Sequence, residues 1–182
     1  MKALLPLFLL AALAACQRDP IEVRVVPKED QPAAGLPSTE RPKGLRWTAP
    51  AGWKEIAGAG MRIASFELPS KTAGKAEVTV VALPGDVGGE LANVNRWRGQ
   101  LALPPIAQED LSLARATVRT RLGALFVYDF TGTGEKKTRL VAGMIQVSGT
   151  MWFFKLMGDE KAVAAAKPAF LELLKGLKND AA

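Results

Sequence analysis

Residues 88–101 read GGELANVNRWRGQL, Gly88 to Leu101, a short stretch between a double glycine and the Pro104-Pro105 stop. Its Leu91, Val94, Trp97 and Leu101 follow one another at spacings of three, three and four, so on a helix they share one side. The spacing therefore predicts a first helix with that stripe buried. Asn93, Arg96 and Gln100 lie on another side, and Asp86 or Gly89 serves its start.

Working outward, the segments on either side of this helix read as strands. Ahead of it, Ala64, Phe66 and Leu68 share one face of residues 61–68. In residues 77–83, Val78 and Val80 face opposite to Thr79 and Val81. A loop over 69–74 separates the two, and Pro84-Gly85 ends the second. Residues 45–56 hold Trp47, a Pro50-Ala51-Gly52 turn and Trp53, which predicts a strand, a tight turn and an aromatic pair at one end of a core.

Beyond the helix, Gln108, Glu109 and Asp110 fall in a turn region, and four strands are expected over 114–122, 124–131, 139–148 and 151–156. Gly123, the 132–137 loop and Gly149-Thr150 supply the hairpin connections, because glycine accepts the positive φ of tight turns. A meander of this kind is antiparallel. Residues 160–178 close the chain as a helix, with Val163, Ala166, Phe170, Leu173, Leu174 and Leu177 in one apolar stripe and Lys175 and Lys178 in its last turns. Pro168 is expected to kink or restart it. The fold class that results is α+β, a mainly antiparallel twisted sheet carrying one helix from the N-terminal half and one from the C-terminus.

Composition narrows the chemistry. The 182 residues include one cysteine and no histidine. The first fact forbids an intramolecular disulfide, and the second removes the usual general base, metal ligand and partner of a catalytic serine. No cofactor or metal motif is present. Asp86, Gly88 and Gly89 precede a helix as a phosphate cradle would, but no GKS or GKT follows, and Asp86 with Glu90 would repel an anion there. Glu109 and Asp110 are neighbours in a loop, no serine sits in a GxSxG setting, and Asp129 stands alone between Tyr128 and Phe130, where a partner arginine accounts for it. The residues name no reaction, and a non-enzymatic protein is expected.

The first 15 residues carry one positive charge, Lys2, then an apolar run from Ala3 to Ala15 that is too short to span a bilayer and has the layout of an export signal. Directly after it, Leu13-Ala14-Ala15-Cys16 resembles the lipobox of bacterial lipoproteins. That resemblance implies diacylglycerol on the Cys16 thiol, cleavage before Cys16 and acylation of the new amino terminus. Two or three acyl chains exceed what stable anchoring requires. Gln17 at the following position, in place of aspartate, implies transfer to the outer membrane in an envelope that has one, on its periplasmic face.

Residues 16–44 form the lipidated terminus and a tether, with Pro20, Pro27, Pro32, Pro37 and Pro42 interrupting any regular element except a short edge strand over 21–26. As a flexible coil this tether spans about 30 Å. The formal charge is +6; with Lys2 in the leader and the tether balanced, the remaining excess belongs to the folded domain, residues 45–182.

The order WTAPAGW, MRIASFELP, a strand, ANVNRWRGQL, a meander ending in MWFFKLMGD and a last helix through FLELLKGLK resembles the PsbP-like α/β/α sandwich. It is most similar to bacterial lipoproteins of that type with NVNRWR on their first helix. Relatives of that architecture, a photosystem extrinsic subunit and a Ran-release factor, act as accessory binding proteins. The resemblance implies a non-enzymatic module that docks onto an envelope protein.

Two groups of residues are candidate contacts. Asn93, Asn95, Arg96 and Arg98 offer arginine forks and amides on one short helix, suited to an anionic or backbone partner. The other reading gives Trp97 to the core, one arginine to a nearby carboxylate or carbonyl and the asparagines to loop backbone. Arg115, Arg119 and Arg121 alternate with Ala116, Val118, Thr120 and Leu122 and so share a strand face, with Lys136, Lys137 and Arg139 expected near them through the hairpins. That face suits anionic lipid, lipopolysaccharide or an acidic wall polymer, as an alternative to protein docking, or simply keeps an antiparallel sheet solvated. Nucleic acid is not expected as a partner of an exported protein.

Overall fold

Alternating β-branched and aromatic residues between glycine turns build most of the domain. A computed structural model describes residues 44–69 and 74–180. The leader over 1–15, Cys16 with its lipobox and all of the tether but Gly44 lie outside the described residues. The strands are β1 (Leu45–Arg46), β2 (Lys54–Ala57), β3 (Arg62–Glu67), β4 (Ala76–Pro84), β5 (Arg115–Thr120), β6 (Gly123–Thr131), β7 (Thr138–Val147), β8 (Thr150–Asp159) and β9 (Lys178–Asn179). The helices are α1 (Gly89–Gln100), the short α2 (Leu111–Ala114) that follows a 3-10 turn at Gln108–Asp110, and α3 (Glu160–Lys175).

Seven strands pair antiparallel in the order β2-β3-β4-β8-β7-β6-β5. β4 is hydrogen-bonded to β8, so α1 begins an excursion that carries the chain to the far edge at β5, from which hairpins return it to the middle. The β7–β8 hairpin closes on Ser148 and Gly149, both at positive φ (50° and 75°), with Val147 opposite Thr150. Two left-handed residues in a two-residue turn match the twist of the strands they join.

Each sheet face carries its own core. On one side α3 lays Val163, Ala166, Phe170, Leu173 and Leu174 over Val78, Val80, Leu125, Val141, Ile145, Phe154 and Leu156. On the other, Val94, Trp97 and Leu101 of α1 and its C-terminal end meet Tyr128, Phe130, Leu140, Ala142, Met144 and Phe153. The architecture is a three-layer α/β/α sandwich of the α+β class. Burial of a Val, Leu or Phe side chain contributes about 1.5–3 kcal/mol, so the central strands, apolar on both faces, are the main source of stability. α3 comes so close to β7 that a Cβ at Gly143 would lie 3.0 Å from Leu174 Cδ1 and 3.1 Å from Leu125 Cδ2.

Several expectations need correction. α3 runs as one element through Pro168, so of the kink or restart expected there the restart does not occur. Pro168 and Ala164, the residue whose carbonyl loses its partner, are both exposed, so water can take that bond. The helix ends at Lys175, and Lys178 belongs to β9, which pairs with β1 through Leu45↔Asn179 and Arg46↔Lys178. Arg121 lies in the β5–β6 turn and not in the strand.

Candidate functional site

α1 starts where two consecutive residues, Gly88 and Gly89, take positive φ (76° and 71°), a conformation that side chains with a Cβ disfavour. Asp86 Oδ1 accepts a hydrogen bond from the Gly89 amide at 3.2 Å. One turn on, Asn93 is buried, 2% exposed. Its Nδ2 donates to the carbonyls of Val87 (2.7 Å) and Gly89 (2.6 Å), and its Oδ1 accepts from the Arg96 guanidinium. A buried amide survives because its donors and acceptor are used; here they join the entry loop, the first turn and the arginine.

The neighbouring polar residues secure local structure. Asn95 donates to the Ile106 carbonyl (3.0 Å) and accepts from the Ile106 amide (2.8 Å), pairing with the loop after the helix as a strand would. Arg98 donates from Nε to the Pro104 carbonyl (2.7 Å), and its guanidinium lies 5.0 Å from the centre of the Phe130 ring. Trp97 packs edge-on to Phe153 and tilted on Tyr128.

Arg115, first residue of the arginine strand, turns back to α1. Its Nη1 donates to both carboxylate oxygens of Glu90, at 3.2 and 3.3 Å, and its guanidinium lies 4.2 Å from the centre of the Phe126 ring. The Tyr128 hydroxyl donates to the same carboxylate. Burial, followed by the hydrogen bond to Glu90 and its charge, holds the Tyr128 phenol above its ordinary value, against a smaller opposing pull from Arg115. Arg119 and Arg121 are exposed.

Lys136, Lys137 and Arg139 do not extend this basic face. Arg139 lies on the α3 side of the sheet, where its Nε and Nη2 donate to Oδ1 and Oδ2 of Asp129 at 2.7 and 2.6 Å, and Lys167 of α3 donates to Oδ2 at 2.7 Å. Lys136 pairs with Asp159 at 3.1 Å, and Lys137 lines the same shallow hollow at the start of α3. Strand alternation sends Arg139 and Arg115 to opposite faces, a separation that hairpin order alone does not reveal. Burial of Asp129 favours its neutral form, but the hydrogen bonds and charges of Arg139 and Lys167 outweigh that and hold the carboxyl below its ordinary value. Asp159 is also lowered, first by the Lys75 amide and then by Lys136.

What the structure does bring together is a cleft of about 210 Å³ between α1 and strands β3, β4 and β8. Asn93, Arg96, Trp97 and Gln100 form its helix side; Arg62, Thr79, Val81, Leu83, Phe153 and Lys155 form its sheet side, with Met61 at the rim and 73% exposed. Of the sequence candidates, Asn93 and Arg96 line it and Asn95, Arg98, Arg115, Arg119 and Arg121 do not. Lys155 donates to Gln100 Oε1 at 3.3 Å, and Arg62 stands 3.7 Å from Glu77. Burial pulls the Lys155 ammonium below its ordinary value; the Glu77 charge opposes this and Arg62 adds to it. The signal for this cleft in the sequence is Lys155 itself, a single cation within the apolar run MWFFKLM.

No protein-family model matches the chain, and no curated protein matches it. Among solved structures, the chain is similar to a cyanobacterial PsbP (CyanoP) from Synechocystis, at 12% identity over 75% of this chain and 92% of that one, with a TM-score of 0.48. It is also similar to LpqN of Mycobacterium tuberculosis, involved in cell envelope biogenesis, at 12% identity over 72% of this chain and 78% of that one, with a TM-score of 0.42. A protein from Bacteroides thetaiotaomicron matches at 13% identity and a TM-score of 0.46; the match covers 74% of this chain but only 44% of the Bacteroides one.

Proposed function

We propose that the chain is an exported lipoprotein, anchored through diacylated Cys16 on the periplasmic face of the outer membrane, whose α/β/α domain is a non-catalytic accessory module that docks onto an envelope protein. The single observation that supports the non-catalytic reading is how three partly buried carboxylates are occupied. Asp129 is held by Arg139 and Lys167, Glu90 by Tyr128 and Arg115, and Asp159 by Lys136 and the Lys75 amide. General acid-base catalysis wants a carboxyl raised toward neutral pH, whereas the shifts of Asp129 and Asp159 run downward. The lipobox and proline-rich tether supply the envelope address.

Two arms test the proposal. Cys16→Ala is expected to release the protein from the membrane fraction and to change its electrophoretic mobility; a variant that stays in the membrane with unchanged mobility refutes the anchor. A pulldown with the full chain is expected to recover one envelope protein in a salt-resistant complex. Recovery only of anionic vesicles or wall material, lost with added salt and in Arg119→Glu, would replace docking by surface binding.

A further inference from the structure

We propose that the cleft between α1 and strands β3, β4 and β8 binds a small amphipathic carboxylate, its head between Arg96 and Lys155 and its aromatic or short aliphatic body against Trp97 and Phe153. The docking reading is not needed for this; the two can fail separately.

The charge balance of the cleft points to an anion. Three cations line it, Arg62, Arg96 and Lys155, and none of the residues lining it is a carboxylate. Arg62 is compensated by Glu77 at 3.7 Å. Arg96 spends one amino group on the neutral Oδ1 of Asn93, and Lys155 reaches only the neutral Oε1 of Gln100. Among the described residues neither forms an ion pair, although Lys155 is partly desolvated on a central strand. Lys155 is half-buried while Arg96 is exposed, and Glu77, the carboxylate whose charge Lys155 feels, already pairs with Arg62, so an incoming carboxylate supplies the counter-charge Lys155 lacks.

The rest of the cleft suits the other half of such a molecule. Trp97 and Phe153 form an apolar wall, and an apolar pocket with a few convergent polar groups is the usual form of a small-molecule site. Asn93, with both donors and its acceptor engaged, holds Arg96 in place before any ligand arrives. At about 210 Å³ the cleft is at the small end of the range for ligand sites. That suits a carboxylate with one ring or a short chain.

The test uses the full chain as isolated from the cells that make it, in mild detergent with the detergent buffer as the blank, and calorimetric titration of phenylacetate, phenylacetamide and acetate. Phenylacetate is expected to bind saturably, and the neutral amide and the bare anion at least tenfold more weakly. Lys155→Met, which keeps the apolar stem and removes the charge, is expected to weaken phenylacetate at least tenfold with its melting transition retained. The proposal is overturned by the absence of saturable phenylacetate binding, by amide or acetate affinity within tenfold of it, or by a folded Lys155→Met that loses less than tenfold. Should Lys155→Met not fold, the comparison of the three compounds on the unaltered protein decides.

Discussion

Gly143 is where the close approach of α3 to the sheet can be measured. A methyl placed there would meet Leu174 Cδ1 at 3.0 Å and Leu125 Cδ2 at 3.1 Å, against an optimal carbon-carbon separation of about 3.5–4.0 Å. Replacing a strand glycine by alanine gains about 0.5–1 kcal/mol in backbone entropy, and overpacking a core costs about 1–3 kcal/mol. The obstructing atoms are side-chain ends, which can yield, so Gly143→Ala is expected to lose about 1 kcal/mol net. Leu174→Ala alone should cost about 2–5 kcal/mol through the cavity it opens. In the double variant the new methyl occupies part of that cavity, so the combined loss should fall short of the sum by about 0.5–1.5 kcal/mol. Urea unfolding of the four proteins closes the cycle. A Gly143→Ala protein as stable as the parent, or losses additive within ~0.3 kcal/mol, would refute the claim that Gly143 is there to admit Leu174.

Asn93→Ala strands the carbonyl of Val87 and releases Arg96, and should cost about 2–3 kcal/mol in urea unfolding; a loss below ~0.5 kcal/mol would show that the buried amide joins nothing. Asn95→Ala removes both bonds to Ile106, so the Ile106 amide should exchange hydrogen much faster while amides of β8 keep their protection, and unchanged exchange at Ile106 would contradict the pairing. Because the Asp129 carboxyl is depressed in the folded protein, its stabilisation is present above the unfolded value of about 3.9 and is lost as pH falls through the lower folded one. Asp129→Asn should therefore cost about 1–3 kcal/mol at neutral pH, between the values for exposed and fully buried pairs, and flatten the stability profile in that acid window, which melting curves at successive pH values would reveal or disprove.

Much of the architecture was legible because it rests on local periodicity. Val78 and Val80 opposite Thr79 and Val81 mark a strand covered on both sides, and all but Val81, which is half-buried, are buried. The stripe through Val94, Trp97 and Leu101 likewise faces the sheet. The candidate site was harder to read, since polar side chains are assigned by what they meet across the fold. Asn93 reads as a surface amide on a helical wheel, and only the loop folded back over the first turn makes it a buried one. The arginine alternation put Arg115, Arg119 and Arg121 on one face, but nothing in the strand says that Glu90, 25 residues away, lies against the first of them. The two-residue strand β9 has no period to detect; it exists because β1 is beside it.

That last pairing has a consequence for engineering the molecule. The Asp180 amide donates to the Gly44 carbonyl at 3.2 Å and the Arg46 guanidinium reaches the Asp180 carboxylate at 2.8 Å, so the two ends of the domain sit side by side. A few glycines and serines would bridge them, and the chain could be reopened at the Ser148-Gly149 turn to give a circular permutant with the same strand order. In such a molecule the new termini emerge at the turn end of the β7–β8 hairpin, which would let a reporter be fused there with the original amino-terminal attachment point sealed inside the backbone.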